Sequence, residues 1–200
     1  MLSNGSKENG MKKIILSSFF LHFMLIFSGC EKKPGSLVVY EEVNGPILFA
    51  QCYINFAWGY QYSGWYVDSE GQVYEFNEQI QPKLGLIHNA TFAEDSMIQS
   101  LQSAAKTEHF IDQQILTEMT SLIGPASRGK LSAPVHRCYD AGVLGYFTFI
   151  QNQENKTYRA VLLYQTGDWA QMNLQKEAVE LFGLLRRYVD NDSNPLPCAP

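Results

Sequence analysis

The sequence predicts an α+β fold: an antiparallel β-sheet of about five strands, with two central helices and a C-terminal helix packed on one face. Three observations lead there. Strand-like runs come in hairpin pairs divided by turn residues, around 65–76 and 143–164. Apolar stripes at three-to-four spacing lie between those pairs, and another follows the second. Hairpins in place of alternating crossovers imply antiparallel pairing with the helices to one side.

Each element has its own signal. Leu37–Val43 is β-branched and closed by the breaker Asn44-Gly45-Pro46. Ile47–Tyr62 reads as one long strand. From Ile54 it alternates, with Ile54, Phe56, Trp58, Tyr60 and Tyr62 on one face and smaller polar residues on the other. Ser63-Gly64 is expected to form a bulge. Trp65–Val67, the turn Asp68–Gly71 and Val73–Phe76 make a hairpin in which Gly71 supplies a positive φ. Gln79–Asn89, with Pro82 and Gly85, is a connection.

Two short amphipathic helices are expected next. One carries Phe92, Met97, Ile98, Leu101, Ala104 and Ala105. The other carries Phe110, Ile111, Ile115, Met119, Leu122 and Ile123, and Gly124-Pro125 stops it. Ala126–Arg137 reads as loop. Val143–Ile150 and Thr157–Tyr164 are apolar strands, and Gly167-Asp168-Trp169 turns the chain. Asn173 is expected to cap the last helix, whose stripe is Leu174, Ala178, Leu181, Phe182, Leu185, Tyr188 and Val189. Glu177 and Glu180 come early in that helix and Arg186-Arg187 late, as the helix dipole prefers.

The N-terminal region sets the address. Lys12 and Lys13 precede Ile14–Phe27, an apolar run of 14 residues. That suits the h-region of a secretory signal and falls short of the roughly 20 residues a membrane-spanning helix needs. Ser28, Gly29 and Cys30 follow at once. This arrangement resembles the signal of bacterial lipoproteins, whose lipobox ends in a cysteine that is lipidated and becomes the new N-terminus. Phe27 stands where that family usually carries an aliphatic residue. The resemblance covers the first 30 residues only. It implies diacylglycerol on the Cys30 sulfur, a fatty chain such as palmitate on its amine, and attachment to a membrane in the cell envelope. By analogy with enteric sorting, Glu31 in place of Asp implies the outer membrane, facing the periplasm, in a host that has one. The rival readings are an ordinary secretory signal and an uncleaved anchor. Met1–Gly10 is polar, which makes Met11 an alternative start.

The implied map is a signal peptide over 1–29, a lipidated tether over 30–36, a single α+β domain over 37–190 and a Pro-rich tail over 191–200. Cleavage removes three lysines and one glutamate, so the net charge moves from −5 to −7. An acidic chain without a basic cluster argues against nucleic acid as a partner.

With Cys30 lipidated, Cys52, Cys138 and Cys198 remain, an odd number for an oxidising compartment. Of the three open pairings, Cys138 with Cys198 is favoured: both lie in polar or Pro-rich coil, whereas Cys52 lies in an apolar run. No close Cys/His spacing suggests zinc, and neither metal nor cofactor is expected.

No catalytic residue stands out. His136, Cys138 and Asp140 are the most suggestive cluster for an envelope hydrolase, but a disulfide at Cys138 would remove the nucleophile. Asp140 and Asp168 could act as paired carboxylates, although both sit in turn-like sequence. His88 and His109 read as surface or capping histidines. Trp58, Tyr60 and Tyr62 are the candidate binding residues. Facing outward they would offer a platform for a cell-wall glycan or an envelope protein; facing inward they are core. The functional expectation is a binding or assembly module on a lipid anchor, with a hydrolase or a purely structural lipoprotein as alternatives.

Overall fold

A computed structural model describes residues 45–57, 59–78, 84–190 and 196–198. The expected leader, the Cys30 tether, the strand Leu37–Val43, Trp58 and most of the Pro-rich tail lie outside those residues.

The architecture is α+β, built on one antiparallel sheet larger than expected. Among the described residues it has nine strands, not about five, in the order β5-β3-β2-β1-β7-β8-β9-β6, with β4 also paired to β8. The strands are β1 (Ile47–Asn55), β2 (Gln61–Asp68), β3 (Gln72–Glu78), β4 (Thr91–Ala93), β5 (Ala105–Phe110), β6 (Val135–His136), β7 (Val143–Asn152), β8 (Thr157–Gly167) and β9 (Trp169–Met172). The helices among the described residues are α1 (Glu94–Ser103), α2 (Gln113–Ser121), α3 (Ile123–Ala126) and α4 (Lys176–Tyr188).

The run Ile47–Tyr62 is not one strand. It folds back as the β1–β2 hairpin, with Asn55 opposite Gln61, and Gly59 takes a φ of 100° in the reversal. Alternating aromatics hid the turn, because Gly59 is its one strong breaker. Ser63-Gly64 makes no bulge: both residues pair in step with β1 and β3. The irregularity sits at Leu48 instead, so Leu48 and Phe49 both reach one side of the sheet. At Gly64 a Cβ would lie 2.0 Å from the Gln51 carbonyl oxygen, so close backbone approach is what requires glycine.

The hairpin over 65–76 forms as read. Asp68 Oδ1 accepts the N–H groups of Glu70 and Gln72, each at 2.9 Å, and Gly71 takes a φ of 90°. The first central helix ends at Ser103, so Ala105 belongs to β5, an edge strand of polar sequence that pairs with β3. Phe110 and Ile111 precede α2, which Asp112 caps by accepting the Gln114 N–H at 2.8 Å. Gly124 and Pro125 do not end the helical region. They lie in α3, where Pro125 occupies the first turn and its missing N–H costs nothing.

The helices cover both faces of the sheet. On one, Leu116, Met119, Ile123, Ala178, Leu181 and Leu185 from α2, α3 and α4 pack on Phe49, Trp65, Tyr146 and Leu163. On the other, Met97 of α1 joins Leu84 and Leu86 over Ile47, Tyr66 and Phe149. The expected single helical face is therefore wrong: α1 packs opposite the other three. The stripe of α4 begins at Ala178, because Leu174 is 61% exposed and the helix starts at Lys176. Asn173 is not its N-cap. It is buried, accepts the Gln175 N–H at 3.0 Å, and donates from Nδ2 to the carbonyls of Ala126 and Leu162.

Candidate functional site

The two faces are covered unequally, and that difference creates the site. Three helices close one face; among the described residues the other is covered by α1, the segment 84–90 and Leu131. On this second face a cavity of ≈ 450 Å³ opens over β1, β7, β8 and β9. Its size falls within the usual range for small-molecule sites, roughly 300–1,000 Å³.

The register explains the hollow. Gly64 of β2 pairs with Cys52 of β1, Cys52 with Gly145 of β7, Gly145 with Gln165 of β8, and Gln165 with Gln171 of β9. One row across five strands thus carries three small residues followed by two amides. Cys52 and Gly145 lie under the cavity, and the larger Ile54, Val143, Phe147 and Leu162 surround them. Leu86, Ile87 and His88 supply the wall from the connecting segment. None of the described lining residues carries a carboxylate, ammonium or guanidinium.

His88 holds that wall in place. The outer edge of β8 pairs with β4 through residues 157–159 and with β9 through residues 164–165, which leaves a gap between them. In the gap His88 Nδ1 accepts the Leu162 N–H at 3.2 Å, and the Asn173 N–H donates to the Leu163 carbonyl at 2.9 Å. Burial, with a smaller contribution from the Arg159 guanidinium, pushes the His88 pKa down. The ring is accordingly neutral, with its proton on Nε2.

The amides are oriented too. Gln165 Nε2 donates to the Trp169 carbonyl at 3.1 Å and Gln171 Nε2 to the Ser132 carbonyl at 2.8 Å. A carbonyl only accepts, so these bonds fix which end of each amide is nitrogen. Burial raises the Cys52 thiol to about 12, against weaker lowering by hydrogen bonds with Gly145 and Tyr62. That thiol is protonated at neutral pH and behaves as a small apolar group.

The residues singled out from sequence fall in different places. Tyr62 is 2% exposed and donates to the Leu84 carbonyl, so it is core and no platform. Tyr60 is half-buried in the β1–β2 reversal, packed tilted against the exposed Phe56. The proposed stripe is therefore divided between a turn and a core strand, and its remaining member, Trp58, lies outside the described residues.

Cys138 and Cys198 lie at disulfide distance, with Cα atoms 6.2 Å apart, and Cys52 is a buried free thiol. A bonded Cys138 supplies no nucleophile to His136 and Asp140. His136 instead packs edge-on against Tyr139 and Trp169, at centroid distances of 4.4 and 5.0 Å. Asp140 takes a φ of 60° and Asp168 Oδ1 accepts the Ala141 N–H at 2.9 Å, so both aspartates serve turns. Among the described residues no group of three His, Cys, Asp or Glu side chains is placed to hold a metal ion.

Sequence reasoning missed the cavity. The signal was there in part, since Cys52 and Gly145 are small residues inside strands. Only the register, which sequence does not give, puts them in one row. The chain matches no family model, no curated protein and no solved structure.

Proposed function

We propose that this chain is a bacterial lipoprotein of the cell envelope, anchored through Cys30, whose α+β domain works by binding. The observation that carries the anchor is the apolar run Ile14–Phe27 followed directly by Ser28-Gly29-Cys30. Each buried methylene contributes about 0.8 kcal/mol, so two or more acyl chains hold a protein on a bilayer durably. The Cys138–Cys198 pair supports an oxidising compartment, where such bonds persist. Glu31 favours the outer membrane, facing the periplasm, in a host with two membranes. The apolar cavity supports binding as the activity, either of a ligand directly or on behalf of an envelope partner.

Growing the host with a clickable fatty acid, wild type against Cys30→Ala, tests the anchor. The reading expects label on the wild type and none on the variant. Equal incorporation overturns it.

A further inference from the structure

We propose, building on the reading of the domain as a binding module, that the cavity over Cys52 and Gly145 takes an uncharged, mostly apolar small molecule. Its polar end is a hydroxyl or a primary amide, seated against Gln165 and Gln171.

The lining decides the charge of the ligand. A carboxylate or ammonium group entering this cavity would lose its hydration and meet no counter-charge among the described lining side chains. The apolar wall of Ile54, Leu86, Val143, Phe147 and Leu162 recovers the energy of burying a hydrocarbon body instead.

The polar end follows from the amides. Gln165 and Gln171 are direct partners across β8–β9, at the end of the row that begins with Gly64. Each Nε2 gives one N–H to a backbone carbonyl, which leaves on each amide an Oε1 acceptor and a second N–H donor for a ligand. His88, with Nδ1 occupied by Leu162, offers Nε2–H, a donor. A group that both donates and accepts matches that set, as a hydroxyl or primary amide does. An ether or ester could accept from these N–H groups but donate to neither Oε1.

The hollow is also not an ordinary packing gap. Interiors hold few voids larger than a water molecule, and the same face packs Tyr62, Tyr66, Phe76 and Phe149 elsewhere. Space opens over Cys52 and Gly145, small residues paired across β1 and β7.

The test uses the full-length protein in lipid nanodiscs with two photoreactive probes at neutral pH. Both carry the same alkyl chain with a diazirine, one ending in a hydroxyl and the other in a carboxylate. After irradiation the labelled peptides are mapped. The hydroxyl probe is expected to label the peptides holding Ile54, Leu86, Phe147 and Leu162, about tenfold more than the carboxylate probe does. Excess unlabelled decanol should suppress that labelling on the wild-type protein. Gln165→Leu with Gln171→Leu should weaken it several-fold with the near-ultraviolet circular dichroism unchanged, and Val143→Trp should reduce labelling by both probes. Labelling that avoids these peptides, that resists decanol, or that is equal for the two probes overturns the proposal. Intact mass on the same sample reports acylation separately, so loss of the anchor and loss of cavity binding are distinguishable.

Discussion

His88 Nδ1 accepts the backbone N–H of Leu162 at 3.2 Å, where the edge of β8 runs between β4 and β9 without a strand beside it. One imidazole does there what a paired strand does elsewhere, and it pins the wall of the cavity. His88→Ala should cost about 1–3 kcal/mol, the usual penalty for leaving a buried donor unmet. His88→Asn, whose carbonyl oxygen can accept the same N–H, should lose less. Urea unfolding of the three proteins measures both.

The same contact sets an acid limit. The folded-state pKa of His88 is lowered, first by burial and then by Arg159, so folding favours the neutral ring. Its contribution is whole above the unfolded value of about 6.5 and is lost as pH falls through the lower folded value. An NMR titration of the ring should show a midpoint below that of an ordinary histidine. Protonation should broaden or shift the Leu162 amide signal as its acceptor disappears.

Cys52 sets an alkaline one. Its folded pKa is raised to about 12, so its contribution is whole below the unfolded value and is lost as pH climbs towards 12. Within that window this one group should lower stability by about 1.4 kcal/mol per pH unit. Cys52→Ala should flatten the fall in denaturant midpoint between pH 9 and 12. In the wild type, a thiol reagent at neutral pH should modify Cys52 far more slowly before denaturant is added than after, because the folded protein keeps the thiol protonated.

How far the sequence revealed this molecule depends on whether the signal was local. The Asp68–Gly71 hairpin, the β7–β8 pair and the body of α4 were readable, because turn residues and periodicity lie within a few positions of each other. The edge strand β5 was not. AKTEHF is polar because it covers an edge, and its order comes from partners 34 to 37 positions away, such as Thr107 Oγ1 on the Val73 carbonyl and Gln72 Nε2 on the His109 carbonyl. Asn173 looked like a helix cap because Asn before an apolar stripe usually is one. Tertiary bonds to Ala126 and Leu162 drew it inward instead.

Asp190 holds a second buried cluster, on the helix-covered face. Its carboxylate accepts from Trp65 Nε1 at 2.8 Å and from the Tyr146 hydroxyl, and it pairs with Arg186 at 3.1 Å. Burial, followed by the Asp190 carboxylate, pushes the Tyr146 pKa upward. Asp190→Ala strips an acceptor from two buried donors and a counter-charge from Arg186. It should cost about 3–5 kcal/mol in denaturant unfolding.

The Cys138–Cys198 pair joins positions 60 apart in the sequence and, with Thr166 Oγ1 donating to the Pro197 carbonyl at 2.7 Å, ties the tail to the sheet. Reduction, or Cys198→Ser, should lower stability by about 2–4 kcal/mol. Paired denaturation curves with and without reductant check this, and Cys198→Ser should be insensitive to the reductant.

The central claim is that a lipid-bearing Cys30 tethers this domain to an envelope membrane. Intact mass spectrometry of the protein purified from its own host tests it most directly. The account predicts a chain beginning at Cys30 and heavier than its sequence by diacylglycerol plus fatty acid. A chain that keeps residues 1–29, or one trimmed there without added acyl mass, would contradict it.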